Sequence, residues 1–131
     1  MTVIDSSAVV ALLTDAGGQG SWVGEQLRGR PKLAPAVMRF EVANVLRRLV
    51  VSGQLTSDDG VQAHRDLVDL QVTEWSFERV SERTTELWPN VTAYDAAYVA
   101  MAEALDVPLL TLDERLSRAA GPQCAFLLPP S

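Results

Sequence analysis

The sequence of 131 residues predicts an α/β protein with a mostly parallel central sheet of about five short strands and helices on both faces. Three observations lead to this prediction. Short apolar runs rich in β-branched residues alternate with longer segments in which apolar residues follow helical spacing. Several helical segments begin at a capping pattern. Strands that alternate with helices usually pair in parallel. We therefore expect a three-layer α/β/α domain that spans residues 1–131.

The first part of the chain supplies two strands and two helices. The run "TVID" predicts a strand that ends at Asp5, and "SAVVALL" predicts the helix after it. A glycine-rich turn, "AGGQG", separates this helix from a second helix over residues 21–27. The short run "KLAP" is the next strand candidate.

The middle of the chain is mainly helical. Apolar residues recur at helical spacing over residues 36–51, and Gly53 ends this helix. A capping-box pattern, formed by Thr56 and Asp59, begins a helix that extends to about Leu70. The alternating run "VTEWSF" predicts a strand, and the polar helix "ERVSERTTELW" ends before Pro89.

The last part of the chain returns to β-α alternation. Thr92 and Asp95 form a second capping-box pattern before "AAYVAMAEAL". The β-rich run "VPLLTL" ends at Asp113, a short helix "ERLSRAA" follows, and "CAFLL" predicts the last strand.

Composition limits the compartment and the partners. No apolar run approaches the ~20 residues that span a membrane, and the opening run lacks the basic segment of a signal peptide. We therefore expect a cytoplasmic protein without a membrane partner. The single cysteine, Cys124, excludes an internal disulfide. The net charge of −6 does not favour nucleic-acid binding. Basic residues nevertheless concentrate between Arg28 and Arg48, where a solvated helix face is the simpler interpretation.

Four acidic residues stand in apolar surroundings: Asp5, Glu41, Asp95 and Asp113. Asp5 and Asp113 end strands, and ligands of doubly wound sheets bind outside the carboxyl ends of the strands. A helix that follows a strand begins at the same edge, so Asp95 can join them. Carboxylates buried together repel one another unless a cation compensates. Oxygen ligands favour Mg²⁺ or Mn²⁺, and such an ion activates water and neutralises phosphate.

Each of these acids also has a purely structural interpretation, and the sequence leaves both open. Asp5 and Asp113 are suited to cap the helices that follow them. Asp95 is suited to be only the partner of Thr92 in its capping box. Glu41 can pair with an arginine of its own helix, the candidates being Arg39, Arg47 and Arg48.

Three segments together resemble a known family. These are "VIDSSAVVALL", "FEVANVLRRL" and "AYDAAYVAMAEALDVPLLTLDERL", the last with a Thr-x-Asp-x-x-Leu pattern at Thr111, Asp113 and Leu116. Their order and spacing are similar to those of the PIN-domain ribonucleases, in particular the VapC toxins of bacterial type II toxin–antitoxin pairs. The resemblance spans nearly the whole chain.

The resemblance implies a metal-dependent endoribonuclease that acts as a toxin. Asp5, Glu41, Asp95 and Asp113 would then coordinate Mg²⁺ or Mn²⁺, and Ser6 or Thr111 would support the metal or the phosphate through a hydroxyl. Some relatives carry another acid two residues past the fourth, where this chain has Arg115, which leaves a second metal site open. The alternative within the family is a catalytically weak or inactive PIN domain that binds RNA or an antitoxin.

The resemblance also implies partners. These are an RNA substrate, a cognate VapB-type antitoxin and a second copy of the chain in a homodimer. The residues suited to contact RNA or antitoxin are Arg39, Arg47 and Arg48. The sequence does not identify the RNA or the cleavage site.

Two other classes with acids at strand ends fit less well. A phospho-receiver domain needs an acidic pair after the first strand and a lysine late in the chain, but Ser6 follows Asp5 and the single lysine is Lys32. A haloacid-type phosphatase needs a second Asp where Ser7 stands. A small α/β protein whose acids only cap helices also remains open, and metal binding would distinguish it.

Overall fold

A sheet of five parallel strands forms the centre of the computed structural model, which describes residues 1–15 and 18–131. The strands follow the order β3-β2-β1-β4-β5, so that β1 lies in the middle. Val3 of β1 pairs with Leu33 of β2 on one side and with Leu109 of β4 on the other. The strands are β1 (Thr2–Ile4), β2 (Lys32–Pro35), β3 (Thr73–Trp75), β4 (Leu109–Leu110) and β5 (Phe126–Leu127).

Seven helices connect these strands within the described residues. They are α1 (Ser6–Thr14), α2 (Gly20–Leu27), α3 (Val37–Val51), α4 (Ser57–Asp69), α5 (Phe77–Leu87), α6 (Ala93–Leu105) and α7 (Glu114–Arg118). The α/β fold with a parallel five-stranded sheet is therefore confirmed.

The capping patterns are confirmed as well. Thr56 accepts a hydrogen bond from the Asp59 backbone N–H at 3.1 Å, and Thr92 accepts one from the Asp95 backbone N–H at 3.2 Å. The strand boundaries are less accurate, because "VPLLTL" and "CAFLL" each contribute only two residues to the sheet. The predicted turn "AGGQG" lies partly outside the described residues, at positions 16 and 17.

Helix α6 is the most buried helix of the fold. It packs on β1, β2 and β4, and its residues from Ala96 to Ala102 are all buried. Four of these seven residues are alanines, whose small side chains let the helix lie close to the sheet. Because α6 leads into β4 through a short turn, it runs antiparallel to the strands. Its first turn, with Asp95, therefore reaches the carboxyl edge of the sheet.

Two arginines tie separate elements together. The guanidinium of Arg39 on α3 donates to the backbone carbonyls of Leu67 and Leu70 and to the carboxylate of Glu74, the Leu70 bond measuring 2.9 Å. Arg83 on α5 donates to both oxygens of Glu103 at 2.6 and 3.2 Å. Such bidentate ion pairs fix side-chain geometry. Both arginines therefore serve the packing of the fold.

Over residues 1–15 and 18–131, no helix combines the length and the hydrophobicity that a bilayer crossing requires.

Candidate active site

Asp5 is the most buried of the four acids, with only 5% of its surface exposed. It directly follows β1 and caps α1: its Oδ1 accepts from the Ala8 backbone N–H at 3.0 Å and from the Ser7 hydroxyl at 2.6 Å. Its Oδ2 accepts from the Thr111 hydroxyl. The helix-cap interpretation of Asp5 is thus correct, but the cap uses only one of the two carboxylate oxygens.

Two hydroxyl groups join the ends of β1 and β4. Thr111 donates to Asp5 and accepts from the Asp113 backbone N–H at 3.0 Å. Ser7 donates to Asp5 and accepts from the Leu112 backbone N–H at 3.0 Å. Each hydroxyl uses both its donor and its acceptor capacity, and together they fix Asp5 relative to the segment that carries Asp113.

Asp113 caps α7 with one oxygen. Its Oδ1 accepts from the backbone N–H groups of Arg115 at 2.9 Å and Leu116 at 3.4 Å. Asp95 occupies the third helical position of α6, in the capping box with Thr92. The capping interpretations therefore describe real contacts of Asp113 and Asp95, as they do for Asp5.

Electrostatic interactions connect Asp95 with each of the other three acids. Burial, with a smaller contribution from the charge of Asp95, raises the pKa of Asp5 to about 6. Burial and then the charge of Asp113 raise the pKa of Asp95. Burial also raises the pKa of Glu41, and the charge of Asp95 adds to this effect. Asp95 thus lies within electrostatic range of the other three carboxylates, at the carboxyl edge where the sequence predicts them.

Glu41 is held by a residue that the sequence analysis missed. The hydroxyl of Tyr98 donates to Glu41 Oε1 at 2.5 Å, and the tyrosine itself is 1% exposed. Burial, reinforced by the neighbouring Glu41 carboxylate, raises the pKa of Tyr98 well above its usual range, so that the hydroxyl remains a donor. Helical spacing offered a signal for this contact, because Tyr98 lies three residues after Asp95 and shares its face of α6.

Among the described residues, Glu41 forms no ion pair with Arg39, Arg47 or Arg48. Arg39 contacts α4 and β3. Arg48 lines a cleft of about 440 Å³ that begins at Glu41 and includes Ser6, Asn44 and Tyr94. Arg47 lies on a different face of α3 and lines an apolar groove against α4. Ser6 thus lies on the Glu41 side of the site, while Ser7 is the serine bonded to Asp5.

The oxygen-only chemistry of these side chains fits a hard divalent cation. Burial combined with mutual repulsion is the environment that such a cation relieves. Within the part of the chain that the structure describes, no three Asp, Glu, His or Cys side chains are close enough to form a ready-made metal site. The geometry therefore gives a converging set of carboxylates rather than a closed coordination shell.

A parallel α/β sheet with carboxylates at its carboxyl edge is the arrangement that the resemblance to the PIN-domain nucleases implies. The family model of the PIN domain matches residues 2–122. A complex titled VapBC2, from Rickettsia felis, has a TM-score of 0.67 over 97% of each chain at 11% identity, which supports the fold.

The sequence relatives are more specific. The chain is 39% identical over 127 residues to ribonuclease VapC1 of Mycobacterium tuberculosis, covering 96% of each protein. It is 36% identical over 121 residues to ribonuclease VapC12 of the same organism, covering 92% of this chain and 93% of the relative. The chain therefore belongs to the VapC family of PIN-domain ribonucleases, a family that is generally metal-dependent.

Proposed function

We propose that this chain is a Mg²⁺- or Mn²⁺-dependent endoribonuclease that acts, as a single domain over residues 1–131, as the toxin of a VapBC-type pair. One observation carries the proposal: the carboxylate of Asp95 is in electrostatic range of Asp5, Glu41 and Asp113 at the carboxyl edge of the sheet. Family membership supports the same reaction.

Each residue of the site has a role in this proposal. Asp5, Asp95 and Asp113 would hold the cation, and Glu41 would complete the acidic set. When bound, the cation would supply a Lewis acid for the hydrolysis of a phosphodiester. Thr111 and Ser7 orient Asp5 by donating to both of its oxygens. Burial raises the pKa of Glu41, which makes this carboxylate a better proton acceptor than a solvated one.

The basic residues of α3 divide between two surfaces. Arg48 shares a cleft with Glu41, so we assign it to RNA phosphates. Arg47 borders the apolar groove between α3 and α4, together with Val50 and Val61. We assign that groove to the VapB-type antitoxin. Arg39 donates to Glu74 and Leu70 within the fold, so we assign it to neither surface.

A homodimer has a suitable face in this structure. Besides Trp88, three aromatic side chains are largely exposed, Phe40 at 79%, Phe77 at 73% and Tyr94 at 59%. Phe77 and Tyr94 line one apolar cleft, and Phe40 and Tyr94 line the adjoining Glu41 cleft. Exposed apolar patches of this kind mark protein interfaces, and a two-fold dimer needs only one self-complementary patch. We assign the apolar cleft that Phe77 and Tyr94 line to the second copy of the chain, and the Glu41 cleft to RNA.

The test of the reaction is Asp95→Asn, with Asp106→Asn as its matched control. Asp106 ends the same helix, and its left-handed backbone (φ 54°) suits asparagine. Both variants lose one negative charge, but only Asp95 belongs to the acidic set. We expect Asp95→Asn to slow cleavage of a labelled RNA by at least about a hundredfold, and Asp106→Asn to cleave normally.

Circular dichroism would confirm that both variants fold. Wild-type cleavage that persists in excess chelator would contradict the metal mechanism. A wild type that binds RNA and leaves it intact would favour the binding-module alternative.

A further inference from the structure

Asp95 lines a second cleft, which Glu41 does not line. It measures about 280 Å³ and is lined by Thr92, Asp95, Asp113 and Arg115, with Asn90 at its rim. Arg115 brings a positive charge to a wall that otherwise presents two of the proposed catalytic carboxylates.

The backbone holds Arg115 in place while its side chain stays accessible. Its backbone N–H donates to Asp113 Oδ1 at 2.9 Å, within the first turn of α7. Its guanidinium Nε stands 3.9 Å from the same oxygen, and 91% of the side chain is exposed. At that distance the pair is a loose ion pair rather than a hydrogen bond, so the planar donor face of the guanidinium remains free to bind an anion.

Two other arginines differ in this respect. The guanidinium groups of Arg39 and Arg83 donate hydrogen bonds to carbonyls and carboxylates of neighbouring elements. Arg118 lies three residues after Arg115 on α7 but pairs with Glu114 at 3.7 Å and does not line the cleft. Arg115 is therefore an accessible cation directly beside the acidic set.

We propose that Arg115 binds an RNA phosphate in this cleft, adjacent to the phosphodiester that the acidic residues cleave. The inference rests on the proposed ribonuclease function and adds a substrate-binding residue to it. A chain with a net charge of −6 and a cluster of carboxylates repels RNA at the place where RNA must bind. A guanidinium matches phosphate in charge and in bidentate geometry.

The placement of Arg115 predicts two opposite effects of its removal. Its positive charge attracts RNA, but the same charge disfavours a divalent cation at Asp95 and Asp113. Arg115→Ala should therefore weaken RNA binding and strengthen metal binding. A residue that only stabilises α7 or the ion pair with Asp113 would not separate the two affinities in this way.

The experiment compares Arg115→Ala with Arg118→Ala, which removes the same charge from the same helix outside the cleft. RNA binding is measured in the Asp95→Asn background so that cleavage does not interfere, and Mn²⁺ binding is measured by titration in the otherwise native chain. For Arg115→Ala we expect RNA affinity to fall roughly tenfold or more. The salt slope, which is the slope of the logarithm of the RNA-binding constant against the logarithm of the salt concentration, should be smaller by about one. Mn²⁺ should bind about two- to fivefold tighter.

Arg118→Ala should match the parent chain in both measurements, and Arg115→Lys should recover part of the RNA affinity because it retains the charge. Equal RNA affinity and salt slope in Arg115→Ala and Arg118→Ala would overturn the proposal, as would weaker Mn²⁺ binding in Arg115→Ala. A wild type without RNA cleavage would refute the proposed function, whereas the RNA and Mn²⁺ titrations judge Arg115 without any reference to cleavage.

Discussion

Replacing Asp5 with asparagine should stabilise the metal-free protein at neutral pH. Burial raises the pKa of Asp5 from 3.8 to about 6, so that keeping the folded carboxylate ionised costs about 3 kcal/mol. Asparagine removes this cost and retains an oxygen for the cap on Ala8, because Asn and Asp cap helices about equally well. It loses the acceptor for the Thr111 hydroxyl, which costs about 1 kcal/mol. The net gain is about 2 kcal/mol.

The direction of the pH dependence follows from the raised pKa. Above pH 6, Asp5 is ionised in both the folded and the unfolded state, so burial of its charge fully destabilises the wild type. This destabilisation decreases as the pH falls toward 4, because Asp5 becomes protonated in the folded state. The advantage of Asp5→Asn should therefore be largest at pH 7–8 and should disappear near pH 4. Thermal melts in chelator would show it as a rise in Tm of roughly 5–10 °C at pH 7.5.

Metal should act on the two proteins unequally. With an assumed Kd of about 1 mM, ~10 mM Mg²⁺ would stabilise the wild type by roughly 1.4 kcal/mol, and Asp5→Asn should gain less. Asp58→Asn, an exposed acid in the first turn of α4, is the control and should change neither melt. If Asp5→Asn melts below the wild type in chelator at pH 7.5 and gains as much from Mg²⁺, Asp5 is only a helix cap and the reasoning is wrong.

Three further results would test other parts of the structure. Tyr98→Phe should keep the buried ring but release Glu41, so that cleavage slows by roughly tenfold while the melting temperature falls by only a few degrees; unchanged kinetics would show that the Tyr98–Glu41 bond does not serve the site. Arg39→Ala should lower the free energy of unfolding by about 2–4 kcal/mol in urea titrations, because the Leu67 and Leu70 carbonyls and the Glu74 carboxylate lose their hydrogen-bond donor. A loss below about 0.5 kcal/mol would show that Arg39 does not stabilise the packing of α3 on these elements. Arg48→Ala should reduce the slope of the logarithm of the RNA-binding constant against the logarithm of the salt concentration by about one. An unchanged slope would show that Arg48 does not contact an RNA phosphate.

The sequence predicts the elements of this fold well where the signals are local. The capping patterns at Thr56 and Thr92 locate the starts of α4 and α6 because a cap involves residues only three positions apart. The last strands are shorter than predicted, because an apolar run such as "VPLLTL" reports burial, while strand length depends on how far the neighbouring chain extends.

The candidate site likewise contains residues that general sequence rules predict and contacts that only the tertiary structure reveals. Asp5 and Asp113 were found because the carboxyl ends of parallel strands share one edge, a rule that applies to any such sheet. The expectation that Asp95 joins them used the same rule, although its helix follows α5 and not a strand. The contact between Tyr98 and Glu41 spans 57 residues and depends on how α6 crosses α3. Helical spacing places Tyr98 on the Asp95 face of α6 but does not identify Glu41 as its partner. The sequence does not predict that Ser7 orients Asp5, because this role depends on a hydrogen bond from the backbone N–H of the distant Leu112.

The hydrogen bond between Thr111 and Asp5 joins residues 106 positions apart, across the pairing of β1 with β4. During synthesis Asp5 leaves the ribosome early, but its partner at the end of β4 arrives only after most of the chain has been made. Contacts of such long sequence separation form late and slowly. If the acids act as proposed, a nascent or truncated chain that lacks β4 holds no assembled site. In such a chain Asp5 lacks its contact with Thr111 and the neighbouring Asp113, so the proposed site is incomplete until β4 pairs with β1.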